Sequence, residues 1–340
     1  MERDKVAVVI LNWNGKKFLE QFLPSVVEYS SSENVSIWVA DNGSTDDSVD
    51  FLTGKYPQIK QIILYKNYGF AGGYNKALQQ INAEYFVLLN SDVEVTKNWI
   101  DPIIDYIEEN DDVAAVQPKI LAFHNKKQFE YAGAAGGFID KFGYPFCRGR
   151  ILDQFEEDNG QYNDIIDIFW ATGACLFIRS QDFLENLFDE DFFAHMEEID
   201  LCWRLKNKNR RIVYNYQSTV YHVGGGTLPK KSSNKLFLNY RNNLLLLYKN
   251  LPQKKTSKIL FQRMILDGLS AMVYLAKFQF SYFVTVLKAH RKFYSMKQNF
   301  KAKRVDLLQF NNKSHSQIYK KSIVFDYFIR KKRNFTNIKF

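Results

Sequence analysis

The chain has 340 residues, 46% hydrophobic and 16% aromatic, enough to bury one large core or two smaller ones and too apolar for a disordered protein. Cys147, Cys175 and Cys202 are odd in number and lack CxxC spacing, which argues against a disulfide framework or zinc knuckle and fits a reducing compartment. The net charge of +9 conceals an asymmetry: residues 228–340 carry 25 Lys and Arg against only Asp267, Asp306 and Asp326, so the first 227 residues are net acidic.

VAVVIL (6–11) is too short for a signal-peptide core, has no small-residue cleavage site behind it, and reads as the first strand. The helix-like KKFLEQFLPSVVEY, DDSVDFLTGKY, GGYNKALQQI and NWIDPIIDYIEEN then alternate with the β-branched runs VSIWVA (35–40), IKQIIL (59–64), YFVLL (85–89) and VAAVQ (113–117). This alternation predicts an α/β fold with a mostly parallel sheet wrapped by helices. Ligands in such sheets gather at the carboxyl ends of the strands, where Asn12-Trp13-Asn14, Asp41-Asn42-Gly43, Asn67-Tyr68-Gly69 and Asn90-Ser91-Asp92 fall. After about residue 120, frequent Gly and Asp predict hairpins and a mobile loop. WATGACLFI (170–178) resumes the core, followed by a helix at EEIDLCWRLKNK, a strand at RIVYN and the turn-rich YHVGGGT.

Neither GxGxxG after the first strand nor GxxxxGK[ST] occurs, which argues against a Rossmann dehydrogenase or P-loop enzyme. In DNGSTDDS, Ser44 or Thr45 can cap a helix begun by Asp46 and Asp47; capping leaves Asp41 unexplained at a strand end, where it could accept from a ribose hydroxyl or base N–H. Asn90-Ser91-Asp92 reads equally as a chain reversal or as a metal site.

Taken together, VAVVILNWNG, VADNGSTDDS, NYGFAGGYNKAL, LLNSDVEV, WATGACLFIR, FDEDFFAHMEEIDLCWRLKNKNRRIVY and STVYHVGGGT resemble the family 2 glycosyltransferases, inverting enzymes of the GT-A fold, over roughly residues 5–245. The NYGFAGGYN form is most similar to rhamnosyltransferase-like members. The resemblance implies transfer of a sugar from a nucleotide-diphosphate donor, dTDP- or UDP-linked, to a glycan or lipid-linked glycan at the cytoplasmic face of a membrane. It places Asp41 on the base or ribose, with Leu11, Asn12 and Trp13 lining that pocket and Asn67, Gly69, Gly73, Asn75 and Ser91 also assigned to the nucleotide. Asp92 becomes the last acid of the family's DxD metal motif, holding Mg²⁺ or Mn²⁺ under the diphosphate. Asn90 departs from that motif, offering a neutral carbonyl where the family often has Asp. His222 matches a histidine that some members use as a further ligand, and the Gly-Gly-Gly after Val223 permits close backbone approach. The family's Glu-Asp-x-Asp reads here Glu197-Glu198-Ile199-Asp200, so Glu198 fills the position of the base that deprotonates the acceptor, with Glu197 beside it. Asp200 is equally explained as an i, i+4 partner of Arg204. Trp170, Thr172 and Gly173 resemble the stretch that approaches the acceptor or donor sugar, though Trp170 also suits a core.

The expected division is a catalytic domain over 1–250 and a basic, aromatic-rich helical extension over 251–340. Within 259–288, Arg263, Asp267 and Lys277 limit uncharged runs to about ten residues, short of the roughly twenty needed to span a bilayer. Such helices suit either the surface of an anionic membrane or packing on the catalytic core. Two rival functions remain at this level: a nucleic-acid-binding protein using the basic tail, and a nucleotidyltransferase. No nucleic-acid module is recognisable, and NWNGKKFLE carries only Lys16 and Lys17 where a nucleotidyltransferase would carry a Gly-rich basic loop.

Overall fold

A computed structural model describes residues 3–224, 232–310 and 313–340. In chain order it runs Asp4–Asn12 (β1), Lys16–Tyr29 (α1), Val35–Asp41 (β2), Ser48–Lys55 (α2), Lys60–Ile63 (β3), Gly69–Leu78 (α3), Ala83–Asn90 (β4), Val93–Val95 (β5), Asp101–Glu109 (α4) and Val113–Ala122 (β6). Short strands follow at Asn125–Phe129 (β7), Gly137–Asp140 (β8), Pro145–Cys147 (β9), Arg150–Ile151 (β10), Gln154–Phe155 (β11) and Ile165–Asp167 (β12). Then come Cys175–Arg179 (β13), Ser180–Asn186 (α5), Glu197–Asn207 (α6), Arg211–His222 (β14), Ser233–Asn250 (α7), Gln253–Ala276 (α8), Phe280–Leu307 (α9), Ile318–Tyr319 (β15) and Ile323–Phe328 (α10).

The main sheet has the order β12-β14-β6-β13-β4-β1-β2-β3, with β5 on β14 and β7 on β6. Strands β3, β2, β1 and β4 pair in parallel, as do β6 and β14, and β13 enters antiparallel between β4 and β6. Both faces are covered. Phe86 and Leu88 of β4 join one core cluster, while Tyr85, Val87 and Leu89 join the other, which is why the run reads as continuously apolar. Strands β8 to β11 of the segment after residue 120 form the second sheet with the distant β15, in the order β11-β10-β9-β8-β15, while β7 and β12 join the main sheet.

One local expectation is corrected. The helix after β2 begins at Ser48, and neither Ser44 nor Thr45 caps it. The Asp46 carboxylate instead accepts the Ser48 N–H at 3.2 Å and the Lys16 N–H at 3.1 Å, while Ser44 turns back toward β1.

Residues beyond 250 pack onto the rest of the chain. Strand β15 pairs with β8, the Ile323 N–H donates to Asp140 at 3.0 Å, and Phe340 stacks on Phe146 and packs at a tilt against Phe138. Inside α8, Arg263 donates to Asp267 at 2.8 Å and lies 3.7 Å over the Tyr144 ring, with His290 of α9 at 3.2 Å from the same carboxylate. Asp267→Ala leaves the buried Arg263 charge without its carboxylate and should cost about 3–5 kcal/mol, read as a lowered urea midpoint. A midpoint within error of the parent would show that the pair contributes nothing to stability.

Candidate active site

Parallel register sets the carboxyl ends of three strands side by side: Asn12 opposite Asp41, and Leu11 opposite Asn90. Buried Asp41 accepts from Asn12 Nδ2 at 3.1 Å and from the Ser44 N–H at 2.8 Å. Asn14, with φ +50°, accepts the Thr45 N–H at 2.7 Å on its side-chain oxygen, so the first two loops are stapled together. Asn12 Oδ1 is buried without a hydrogen-bond partner, and Ser91 Oγ also borders Gly15 there. Trp13 is 39% exposed at the rim.

The NYGFAGGYN stretch builds the wall. Asn42 donates to the Gly69 carbonyl at 2.9 Å and accepts the Tyr68 N–H at 3.0 Å, while Asn67 Oδ1 accepts the Gly69 N–H at 2.7 Å. Gly69 has φ +74°, and a Cβ there would lie 2.5 Å from the Phe193 carbonyl oxygen, which accepts the Phe70 N–H at 2.8 Å. Gly73 packs against Leu11. Asn75 faces away from the strand ends: its amide donates to Phe188 O and accepts the Phe188 N–H, both at 2.9 Å.

The acidic helix start lies on the other side. Strand β13 links it to the Asn90 turn, because the Asn90 N–H donates to the Ala174 carbonyl at 3.0 Å and the adjacent Gly173 N–H points to the Glu198 carboxylate. A side chain at Gly173 would strike Phe70, 2.4 Å from its nearest ring atom. Glu198 is half-buried and Glu197 buried, and the Oε2 of each lacks a hydrogen-bond partner. Burial pushes Glu198 up to about 7, against the opposing pull of the Glu198 and Gly173 N–H groups. Burial, and then the neighbouring Glu198 charge, push Glu197 well above the usual carboxylate range.

Asp200 belongs to the scaffold. It accepts from Arg204 and Lys249 at 2.8 Å each and from Asn250 at 2.8 Å; burial would raise its pKa, but the Lys249 and Arg204 charges hold it at about 2. Just before α6, Phe193, His195 and Met196 adopt φ of +65°, +69° and +76°, conformations that cost non-glycine residues of order 1–3 kcal/mol each. Asn242 of α7 secures this bend, its Nδ2 lying 2.9, 2.9 and 2.7 Å from the carbonyls of Phe192, Ala194 and His195.

Asp92 and His222 meet at 3.2 Å through Oδ1 and Nε2, joined by the pairing of β5 with β14. Glu130, which no sequence motif marks, stands 3.1 Å from His222 Nδ1. Burial lowers the imidazole's proton affinity, but Asp92 and Glu130 outweigh it and raise His222 to about 10. No group of three or more His, Cys, Asp or Glu is arranged to hold a metal among the described residues. A divalent cation between Asp92 and His222 would displace the Nε2 proton and take its place: one carboxylate and one imidazole nitrogen adjoin, and a second carboxylate faces the ring from its far nitrogen. Of the glycines after Val223, Gly225 and Gly226 lie outside the described residues.

Trp170 is a core residue, its Nε1 donating to Phe138 O at 2.9 Å and its ring covering Gly137. Thr172 is buried, its N–H donating to Gln117 Oε1 at 3.0 Å. Gln117, Glu130, Asn242 and Lys249 are the residues that sequence reasoning missed, since isolated polar letters in apolar or basic stretches carry no spacing signal.

The family model "Glycosyl transferase family 2" matches residues 7–175. The chain is 23% identical over 261 residues to the N-acetylglucosaminyl-diphospho-decaprenol L-rhamnosyltransferase of Mycobacterium tuberculosis, covering 72% of this chain and 84% of that one. Among solved structures, S. aureus TarS 1-349 in complex with UDP-GlcNAc superposes with a TM-score of 0.52 at 16% identity, covering 90% of this chain and 89% of that chain. GalNAc-T7 with UDP, GalNAc and Mn²⁺ gives 0.59 at 15% identity, covering 75% of this chain and 49% of that chain. Strand-end carboxylates, acidic helix start, sheet order and sequence likeness agree: the chain is a family 2 glycosyltransferase of the GT-A fold, similar to rhamnosyltransferases.

Proposed function

We propose that the protein transfers a sugar, with inversion, from a UDP- or dTDP-linked donor to a hydroxyl of a glycan or lipid-linked glycan of the cell envelope, in peripheral contact with the cytoplasmic face of a membrane. The observation that carries this reading is the Glu198 carboxyl, half-buried with an unpartnered oxygen and linked through Gly173 and Ala174 to the Asn90–Asp92 turn. In this reading residues 1–250 are the catalytic part and 251–340 an extension that supports and places it.

Asp41 and Asn12 hold the nucleoside beneath Trp13, and Ser91 lies beside its phosphates. Glu198 takes the proton of the acceptor hydroxyl as that oxygen bonds to the anomeric carbon and the bond from that carbon to the diphosphate oxygen breaks. The proton ends on Glu198, and the bonding electrons leave with the nucleoside diphosphate. Mg²⁺ or Mn²⁺, when bound, neutralises charge on the departing diphosphate; Asp92, His222 and the Asn90 side-chain carbonyl would hold it. Glu197, more deeply buried and with its proton affinity raised by burial and by Glu198, lines the pocket beside the base.

Thermal shift with UDP, dTDP and their sugars, with and without Mn²⁺, tests the reading. Stabilisation by one nucleotide series, larger with Mn²⁺, is expected, and no response to either series would overturn it. Asp41→Ala should weaken nucleotide binding by about tenfold or more whether or not Mn²⁺ is present. An effect seen only with metal would remove Asp41 from the nucleoside.

A further inference from the structure

Helix α8 is inside out. Its buried stripe is Thr256, Leu260, Arg263, Asp267 and Ala271, three of them polar, whereas Phe261, Ile265, Leu269, Met272 and Val273 are 49–67% exposed. The outward residues recur at helical spacing on one face, so the usual amphipathic order is reversed. The stripe continues across the turn, where exposed Lys277 and Gln279 flank Phe278: Phe278 is 81% exposed, and Phe280, Val284 and Leu287 of α9 are 43–57% exposed. A contiguous apolar surface of this kind on a globular protein marks a contact site.

Charge states the occupant. Lys254, Lys255 and Lys258 are exposed where α8 begins, and Lys288, Arg291 and Lys292 are exposed where the apolar stripe of α9 ends, so the apolar tip of the hairpin has basic residues at its base. Ile265 also lines a cleft with Phe325, Lys141, Lys321, Arg330 and Asp326, in which cations outnumber the one carboxylate. By length and composition α8 could cross a bilayer. Its inward face is instead tied to Tyr144 and His290 by Arg263 and Asp267, which fixes the helix as one wall of the folded protein.

We propose that the α8–α9 hairpin inserts its apolar tip into an anionic phospholipid bilayer, with the lysines at its base at the level of the headgroups. This deepens the membrane contact named above by assigning it a surface, and rests on that reading only for its purpose: vesicle binding is measured without donor or acceptor and stands or falls apart from transfer.

The test is flotation of the full-length protein with phosphatidylcholine vesicles, with or without 40% phosphatidylglycerol. The protein should float with the anionic vesicles, bind at least tenfold more weakly to pure phosphatidylcholine, and be released by high salt. Leu269→Gln, Met272→Gln and Phe278→Ser together should reduce binding at least tenfold while preserving the melting temperature and the nucleotide response. For a readout that does not depend on loss, Met272→Cys can carry a nitrobenzoxadiazole label, the three natural cysteines being buried. Its emission should shift to the blue and rise on adding anionic vesicles. An unshifted spectrum, or equal flotation of the triple variant, overturns the proposal. So does a parent protein that sediments as a dimer without binding vesicles while the triple variant is monomeric, which would make the surface a contact between copies of the chain.

Discussion

Glu198→Gln is expected to lower kcat by about 10² to 10⁴ while leaving donor affinity unchanged, because glutamine keeps the size and the Gly173 contact but cannot accept a proton. Glu197→Gln should cost far less, since Glu197 is more deeply buried than Glu198 and stands beside the base position rather than in it. Replacing Glu198 with Asp withdraws the carboxylate by one methylene from an acceptor it must reach within hydrogen-bonding distance, so turnover should fall even though a base remains. The working form of Glu198 is the carboxylate, and its proton is held up to about pH 7 by burial. In the parent enzyme kcat/KM should therefore climb as pH rises through about 7 and level off above it, and this limb should be missing in Glu198→Gln. Near-normal turnover by Glu198→Gln, with Glu197→Gln inactive, would move the base one residue upstream.

The second large effect is expected at Asp92. Asp92→Asn should abolish the Mn²⁺-dependent part of donor affinity, a loss of about 100-fold or more in a titration with nucleotide sugar, because so few protein ligands adjoin the proposed cation and the Asn90 carbonyl cannot replace a carboxylate. The fold should survive, since Glu130 still faces His222 from its other nitrogen. The melting temperature without ligand checks that point, and metal-free nucleotide binding through Asp41 should be retained. Equal donor affinity in the parent and in Asp92→Asn, both with Mn²⁺, would show that Asp92 holds no metal. Glu130→Gln, acting through the ring of His222 rather than on the cation directly, should weaken metal-dependent binding by a smaller factor, about 10 to 100.

Much of this architecture was legible because a doubly covered sheet writes its strands as apolar runs and its ligand-facing ends as clusters of Asn and Asp. KKFLEQFLPSVVEY coincides with α1, and the five early apolar runs are β1, β2, β3, β4 and β6. Direction is another matter. An apolar run such as ACLFI states burial without stating which way it points, so the antiparallel entry of β13, which brings Gly173 and Glu198 beside the Asn90 turn, had to come from the structure. The buried face of α8 was hidden for a related reason: periodicity marks two faces, and only the surroundings decide which one is inside. Asn242 and Lys249 lie in what reads as a solvated basic tail, yet one holds the bend before Glu198 and the other neutralises Asp189 and Asp200. The basic charge expected to face an anionic partner is thus partly internal, with Lys303 and Arg304 of α9 likewise bonded to Asp191 and Thr256 at 2.8 Å each.

The contact between Lys303 and Asp189 joins residues 114 positions apart. At roughly 5–20 residues per second of synthesis, about 6 to 23 s separate the appearance of the two partners on the ribosome. By the end of that interval every letter of the glycosyltransferase motifs has been made, yet Asp189 and Asp191, on the approach to α6, have stood without the Lys303 ammonium that bridges them. A nascent chain of this protein is therefore complete as a text before it is complete as a fold, and termination before Lys303 leaves every motif in place with Asp189 and Asp191 short of one cation.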